Sequence, residues 1–337
     1  MGTAEPPDEP PAAPARRGLP VAGSPWDRLG SDPPQPFPAA MLNVTNRCNL
    51  SCAHCFIYTD GNPNDPAGDL DDAALLAEVE RVRDRHGLYG MLWMGGEPML
   101  RWRLLERGVR LFSRNVITTN GTVPLRDFGP AVTYVVSLDG PEDLNDAVRG
   151  EGVYRRVRRN LLALPESFSS TVQLQCVVTR QNQARVSELV EAFVDTPVDG
   201  IAFTFHVPQQ GERSELAWRD VEEREVAVDL VLELKERYPR FVWNHRRALA
   251  LMRPGAARVV TAHCPALATV LPLYVERGRF TNPRCCYGNH ADCDRCGAWV
   301  VFAHAAKLPG PWDEIVPPTD PPGPLAHWFA AAGARLP

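Results

Sequence analysis

The sequence predicts an α/β fold, a partial (βα)6 TIM-like barrel followed by a small cysteine-rich C-terminal extension. Three observations predict it. Apolar strand patterns alternate with helical ones between residues 39 and 245, which builds a parallel sheet with helices outside. Within the strand segments, bulky apolar residues alternate with smaller or polar ones. Five of the nine cysteines fall in the thirty-three positions from Cys264 to Cys296, beyond the last βα unit. Six units stop short of the eight of a closed barrel, so an open-sided barrel is expected.

Residues 1–38 hold eleven of the 33 prolines and few large apolar side chains, so they are expected to form a disordered leader. "AAMLNVT" (39–45) opens the barrel as its first strand, and a long polar loop follows. The stretch 69–86 is a helix, with Asp69 or Asp71 as cap and Leu75, Val79 and Val82 on one face. "LYGMLWM" (88–94) and "MLRWRLLERGVRLF" form the second unit. "NVITT", "VTYVVSL", "TVQLQCVV" and "GIAFTFH" supply the remaining strands, with helices centred near 125 (a short one), 155, 188 and 228. Residues 246–306 form the cysteine-rich extension. Residues 307–337 read as a Pro-rich tail ending in a short docking helix, "LAHWFAAAGARL".

Composition narrows the partners. The 337 residues carry 36 Lys and Arg against 41 Asp and Glu, a net charge of −5, which argues against a nucleic-acid polyanion. No apolar run reaches membrane-spanning length and no secretory core opens the chain, so a cytoplasmic location without membrane contact is expected. Thiols stay reduced there, and clustered cysteines indicate metal more often than disulfides.

Strand phase locates a cavity. Val172, Leu174, Cys176 and Val178 share one face and leave Gln173 and Gln175 on the other. Tyr134, Val136 and Leu138 oppose Thr133, Ser137 and Asp139, while Ile201, Phe203 and Phe205 oppose Ala202, Thr204 and His206. Asn43 and Thr45 likewise oppose Leu42 and Val44. The apolar set should pack under the helices, and Cys176, in phase with it, is an inert buried thiol. The other set should face a polar lumen. His206, at the end of the sixth strand, is a candidate for substrate contact or proton transfer.

"CNLSCAHC" (48–55) places Cys48, Cys52 and Cys55 in the loop after the first strand, at the barrel mouth where parallel α/β folds hold their chemistry. The spacing lets one loop give three thiolates to three irons of a cubane, leaving the fourth iron open. His54 leaves a zinc site of three cysteines and one histidine as the alternative. The loop resembles the CxxxCxxC signature of radical S-adenosylmethionine (radical SAM) enzymes. "MGGEP" (94–98), "TTNGT" (118–122) and "VSLDGPEDLNDAVRG" (136–150) also resemble that family, in order, on successive strand ends.

The resemblance implies that Cys48, Cys52 and Cys55 bind a [4Fe–4S] cluster whose fourth iron is chelated by S-adenosylmethionine. It implies that Gly95, Gly96 and Glu97 bind the methionine amino end. Ser137 and Arg149 match cosubstrate positions of the SPASM or twitch branch, with Arg149 suited to a carboxylate, and Asn120 is a ribose-side candidate. The implied chemistry is reductive cleavage to a 5′-deoxyadenosyl radical, fed by an external one-electron donor such as flavodoxin or ferredoxin.

The second cysteine group resembles the auxiliary-cluster extension of the same branch. Cys264, Cys285, Cys293 and Cys296 are the implied ligands of one auxiliary [4Fe–4S] cluster, with Cys286 the spare. The fit departs from the family pattern, since Gly278 lies seven residues before Cys285 rather than five. A four-cysteine zinc site remains the alternative. With no leader-binding module evident, the expected substrate is a polar small molecule such as a sugar, cyclitol or nucleoside. Peptide maturation is the runner-up, and a non-catalytic iron–sulfur, zinc or electron-carrying protein is the reading from another class.

Overall fold

A computed structural model describes residues 36–55, 68–276, 278–281, 291–321, 325–327 and 331. Its centre is one sheet of eight strands: β1 (Ala39–Asn43), β2 (Gly90–Met94), β3 (Arg114–Thr119), β4 (Val132–Ser137), β5 (Thr171–Val178), β6 (Gly200–Phe205), β7 (Val270–Glu276) and β8 (Arg279–Thr281). The order is β6-β5-β4-β3-β2-β1-β7-β8, parallel from β6 through β7, with β8 antiparallel on β7. Among the described residues the sheet does not close on itself, as expected for a partial barrel, and the β6 edge is bonded by the backbone of Phe241, Trp243 and Gly297. β7 was not anticipated. It comes from the stretch assigned to the cysteine-rich extension, yet pairs directly with β1, Ala39 against Val270 and Leu42 against Leu273.

The helices cover the outer face. α1 (Asp72–His86) starts at Asp71, whose carboxylate accepts from the Ala73 and Ala74 amides, and ends at Gly87 with φ of 64°. α2 (Trp102–Gly108) lies between 3-10 turns at Pro98–Arg101 and Val109–Leu111. Two helices, α3 (Glu142–Arg149) and α4 (Val153–Leu162), stand where one was expected near 155. α5 (Val186–Phe193) and α6 (Glu225–Arg237) complete the βα units. α7 (Arg246–Leu251), α8 (Pro254–Ala262), α9 (Ala266–Thr269) and α10 (Trp299–Ala305) pack beyond them.

The short helix expected near 125 is not formed. Pro124, Pro130 and Gly129, with φ of 91°, break the stretch between β3 and β4. Asp127 organises it instead, accepting from the backbone amides of Gly129, Ser169 and Ser170.

The ends also differ from expectation. Phe37 is 1% exposed and its amide bonds His86 O at 3.1 Å, so Phe37 and Pro38 belong to the barrel, not the leader; residues 1–35 lie outside the described residues. The Pro-rich stretch after 307 is latched down. Trp312 is buried with Nε1 on Ala305 O, and buried Arg247 pairs with Asp313 and donates to Ala306 O. Leu325 and Ala326 pack against Ala268 and Leu308, while most of the C-terminal helix lies outside the described residues. Among the described residues, no helix is long and apolar enough to cross a membrane.

The strand phases hold. Leu174, Cys176, Val178, Tyr134, Val136, Ile201 and Phe203 are inaccessible in the core, whereas Gln173, Gln175, Thr133, Ser137 and Thr204 are half-buried on the lumen side. The lumen is not polar throughout, however. Met41, Leu92, Met94, Val270 and Tyr274 form a separate apolar cluster that reaches Cys55. The polar wall therefore belongs to β4–β6 and the apolar wall to β1, β2 and β7.

Candidate functional site

The cysteine loop leaves β1 and is held on every side. Gly96 donates to Thr45 O at 2.8 Å and Glu97 to Arg47 O at 2.9 Å, so the two strand-end loops run together. Gly95 has φ of 142°, and a Cβ there would lie 2.3 Å from Asn43 Oδ1 and 2.7 Å from Thr45 O. Only glycine fits this approach. Asn43 is 3% exposed, and among the described residues its Oδ1 has no hydrogen-bond partner.

Glu97 has its carboxylate already engaged by neighbouring groups. It is fully buried, Oε1 accepting from Met99 N (2.9 Å) and Thr119 Oγ1 (2.8 Å) and Oε2 from Asn120 N (2.7 Å). Its carboxylate braces the end of β2 to the end of β3. Burial pushes its pKa up to about 7 despite these three donors. Asn120 also serves the cysteine loop: Nδ2 donates to Asn49 Oδ1 at 2.9 Å, and Oδ1 accepts from the Thr122 amide and hydroxyl. Asn49 Nδ2 returns a bond to Thr122 Oγ1 at 2.8 Å.

The far side is held by charge. Asp139, 1% exposed, accepts from His54 Nε2 and Arg149 Nε, each at 2.7 Å, and from Val177 N at 2.8 Å. Burial alone would raise its pKa, but the Arg149 guanidinium and His54 more than offset this and hold the carboxyl well below the usual range. Arg149 is 7% exposed, and its Nη1 lies 3.9 Å from Cys52 Sγ. The Ala53 amide bonds Val148 O at 2.9 Å, which seats the loop on α3. Asp139 engages the Nε2 of His54 and leaves Nδ1 as its other ring nitrogen. Among the described residues no three His, Cys, Asp or Glu side chains form a single-ion site. Three thiols wrapped around a cubane meet three different irons and need no common point. Burial pushes Cys48 up to about 11 and raises Cys52.

Ser137 ends β4 opposite Gln175, half-buried on the polar wall. His206 lies just past β6, 7% exposed, with Nε2 3.1 Å from Glu212 Oε1. Burial lowers its pKa against the opposing pull of Glu212, so the imidazole is neutral at neutral pH. Glu212 was not picked out in the sequence, nor was the partnership of His54 with Asp139. Asp139 did carry a signal, since a carboxylate on a lumen-facing strand position demands a buried partner.

The second cysteine group docks nearby. Cys293 opens a 3-10 turn (Cys293–Arg295) that packs against α8, and Cys264 follows α8 by two residues. Gly297, next after Cys296, accepts from Phe205 N at 2.9 Å; a Cβ there would lie 2.7 Å from His206 O. Cys285, Cys286 and His290 lie outside the described residues. His263 is exposed and bonds Val259 O.

The family model of the radical SAM superfamily matches residues 42–193, from β1 through α5. The chain contains a radical SAM domain. Among curated proteins it is 30% identical over 215 residues to Fe-coproporphyrin III synthase of Methanosarcina barkeri, covering 58% of this chain and 51% of that one. It is 31% identical over 158 residues to mycofactocin maturase MftC of Mycobacterium tuberculosis, covering 43% and 39%. The chain thus spans about half the length, or less, of these relatives. The solved structure of native anSMEcpe with bound AdoMet superposes with a TM-score of 0.57 at 15% identity, covering 88% of this chain and 95% of that one. That likeness extends the shared fold beyond the radical SAM domain itself.

Proposed function

We propose that the protein is a radical SAM enzyme that abstracts hydrogen from a polar small molecule. The observation that carries this reading is the three-cysteine loop of a radical SAM domain, clamped between Asn120, Glu97 and the Asp139–Arg149 pair. Cys48, Cys52 and Cys55 would hold a [4Fe–4S] cluster, and their donor set of three soft thiols without a carboxylate suits iron–sulfur chemistry. The chemistry that such a cluster and S-adenosylmethionine would supply, when bound, is reductive cleavage to a 5′-deoxyadenosyl radical. This chain's residues would bind and orient. The backbone of Gly95, Gly96 and Glu97, with the unpartnered Asn43 Oδ1 beside it, would receive the methionine amino group. Arg149 would offer a carboxylate the donors that Asp139 leaves unused, while Ser137 and Asn120 would flank the nucleoside. An external donor such as flavodoxin or ferredoxin would supply the electron.

The half-buried row Thr133, Ser137, Gln173 and Gln175 supports a substrate with several hydrogen-bonding groups. The similarity to mycofactocin maturase favours peptide maturation as the second reading. Cys264, Cys285, Cys293 and Cys296 would bind an auxiliary [4Fe–4S] cluster, with zinc the alternative. Anaerobic reconstitution with iron and sulfide tests both sites together. About eight irons per chain are expected, with 5′-deoxyadenosine formed on adding dithionite and S-adenosylmethionine. About four irons plus one zinc with turnover would make the second site zinc. A protein that takes up no cluster overturns the reading.

His206 would act as the base or hydrogen-bonding group of the polar wall. A neutral base loses function as pH falls through its pKa, which here lies below the ordinary value of about 6.5. His206→Gln should lower kcat on the substrate about 10²–10⁴-fold and remove that acidic limb from the pH profile. An unchanged profile would make His206 part of the cavity wall only.

A further inference from the structure

Arg224, the residue before α6, is 1% exposed. A buried guanidinium is costly unless a carboxylate pairs with it. Among the described residues none does. Nη1 donates to Cys296 O at 2.7 Å and Arg295 O at 3.3 Å, Nη2 donates to Met252 O at 3.1 Å, and Nε has no acceptor. The Phe302 ring lies 5.9 Å away and gives modest support. Asp220 lines the same small pocket, with His206 and Trp218, but is exposed and makes no ion pair with Arg224. The guanidinium stays charged at neutral pH. Arg295 on the same turn, by contrast, is neutralised by Asp292 at 2.7 Å.

The fold thus carries a buried positive charge with no carboxylate, tied to the turn that bears Cys293 and Cys296. Four thiolates around either Zn²⁺ or a [4Fe–4S] core have a net charge of about −2. We infer that Arg224 is the built-in counter-cation of an anionic metal–thiolate centre formed at Cys293 and Cys296. This rests on the metal-binding reading of the second cysteine group and assigns that site a partner beyond its ligands. Arg224 is a positioning residue: it clamps the turn through the Cys296 and Arg295 carbonyls and offsets the charge that metal binding creates. Iron–sulfur and zinc centres share this requirement.

The test uses the full chain with Cys52 replaced by alanine, so that bound metal reports the second site. Metal is supplied as iron plus sulfide, or as Zn²⁺ alone, and retention is titrated against a chelator. Arg224→Met should weaken metal retention about 10–100-fold, as loss of a partner around the ligand shell does, while Arg224→Lys keeps part of it. In metal-free protein the same Met variant should lose less melting temperature than in metal-loaded protein, because removing an uncompensated buried charge partly offsets the lost carbonyl bonds. Equal loss of melting temperature with and without metal would reduce Arg224 to a carbonyl clamp and overturn the inference. So would unchanged retention in a folded variant. If Arg224→Met does not fold, the Lys variant decides, since retention no better than that of a neutral Arg224→Gln variant also overturns it. Should the parent protein hold neither iron nor zinc here, the underlying reading of the site fails instead.

Discussion

Asp139→Asn is expected to destabilise the protein by about 3–5 kcal/mol, the cost of removing one partner from a buried ion pair. Asp139 sits 1% exposed between His54 and Arg149, each 2.7 Å away. Arg149 stays charged when the carboxylate is lost, so a buried guanidinium is left beside Cys52. An asparagine amide facing Arg149 Nε would also set donor against donor. The urea midpoint should fall with little change in slope, and the reconstituted variant should hold fewer irons than wild type. The double variant Asp139→Asn with Arg149→Gln should recover part of the loss, because the orphaned charge is gone. The same network fixes the acid response. Its stabilisation is fully present above the ordinary carboxylate pKa of about 3.9 and is lost only as pH falls through the lower folded value. A change under about 1 kcal/mol in Asp139→Asn would mean that solvent, not the barrel, surrounds the pair.

How much of this was legible in the sequence depends on whether the information was local. "TVQLQCVV" reads directly as β5 because its alternation is complete, and the strand runs Thr171–Val178 as expected. The three-cysteine loop and the paired glycines are also local. β7 was hidden because it carries Pro272 and sits among cysteines. Pro272 is tolerated where β7 pairs with β1 alone, since β8 joins only from Tyr274 onward. The role of Glu97 was hidden differently. Its position at a strand end suggests a ligand contact, but its partners Thr119 and Asn120 lie at the end of the next strand, more than twenty residues on. Arg224 is the extreme case. Nothing in "EEREVAV" separates it from its exposed neighbours until packing brings Cys296, Arg295 and Met252 around it.

Cys52→Ala is expected to abolish formation of 5′-deoxyadenosine while leaving the fold intact. Cys52 is partly exposed in a loop, with Arg149 Nη1 3.9 Å away, so losing its sulfur leaves no core cavity and should move metal-free stability by no more than about 1 kcal/mol. Its function admits no such tolerance, because two thiolates are too few to hold a cubane with one open iron. Iron per reconstituted chain should fall from about eight to about four if the second site is iron–sulfur, or from about four to none, with zinc retained, if it is not. The retained metal is the decisive control, because it shows that the chain folded and that only one centre was removed. Cys176→Ala supplies the contrast. Cys176 is inaccessible, and burial raises its pKa well above the ordinary thiol value. That substitution should cost stability through a small cavity and leave iron content unchanged. Survival of S-adenosylmethionine cleavage in Cys52→Ala would remove the three-cysteine loop from the reaction. The clamp of Asn120, Glu97, Asp139 and Arg149 would then be holding a structural turn.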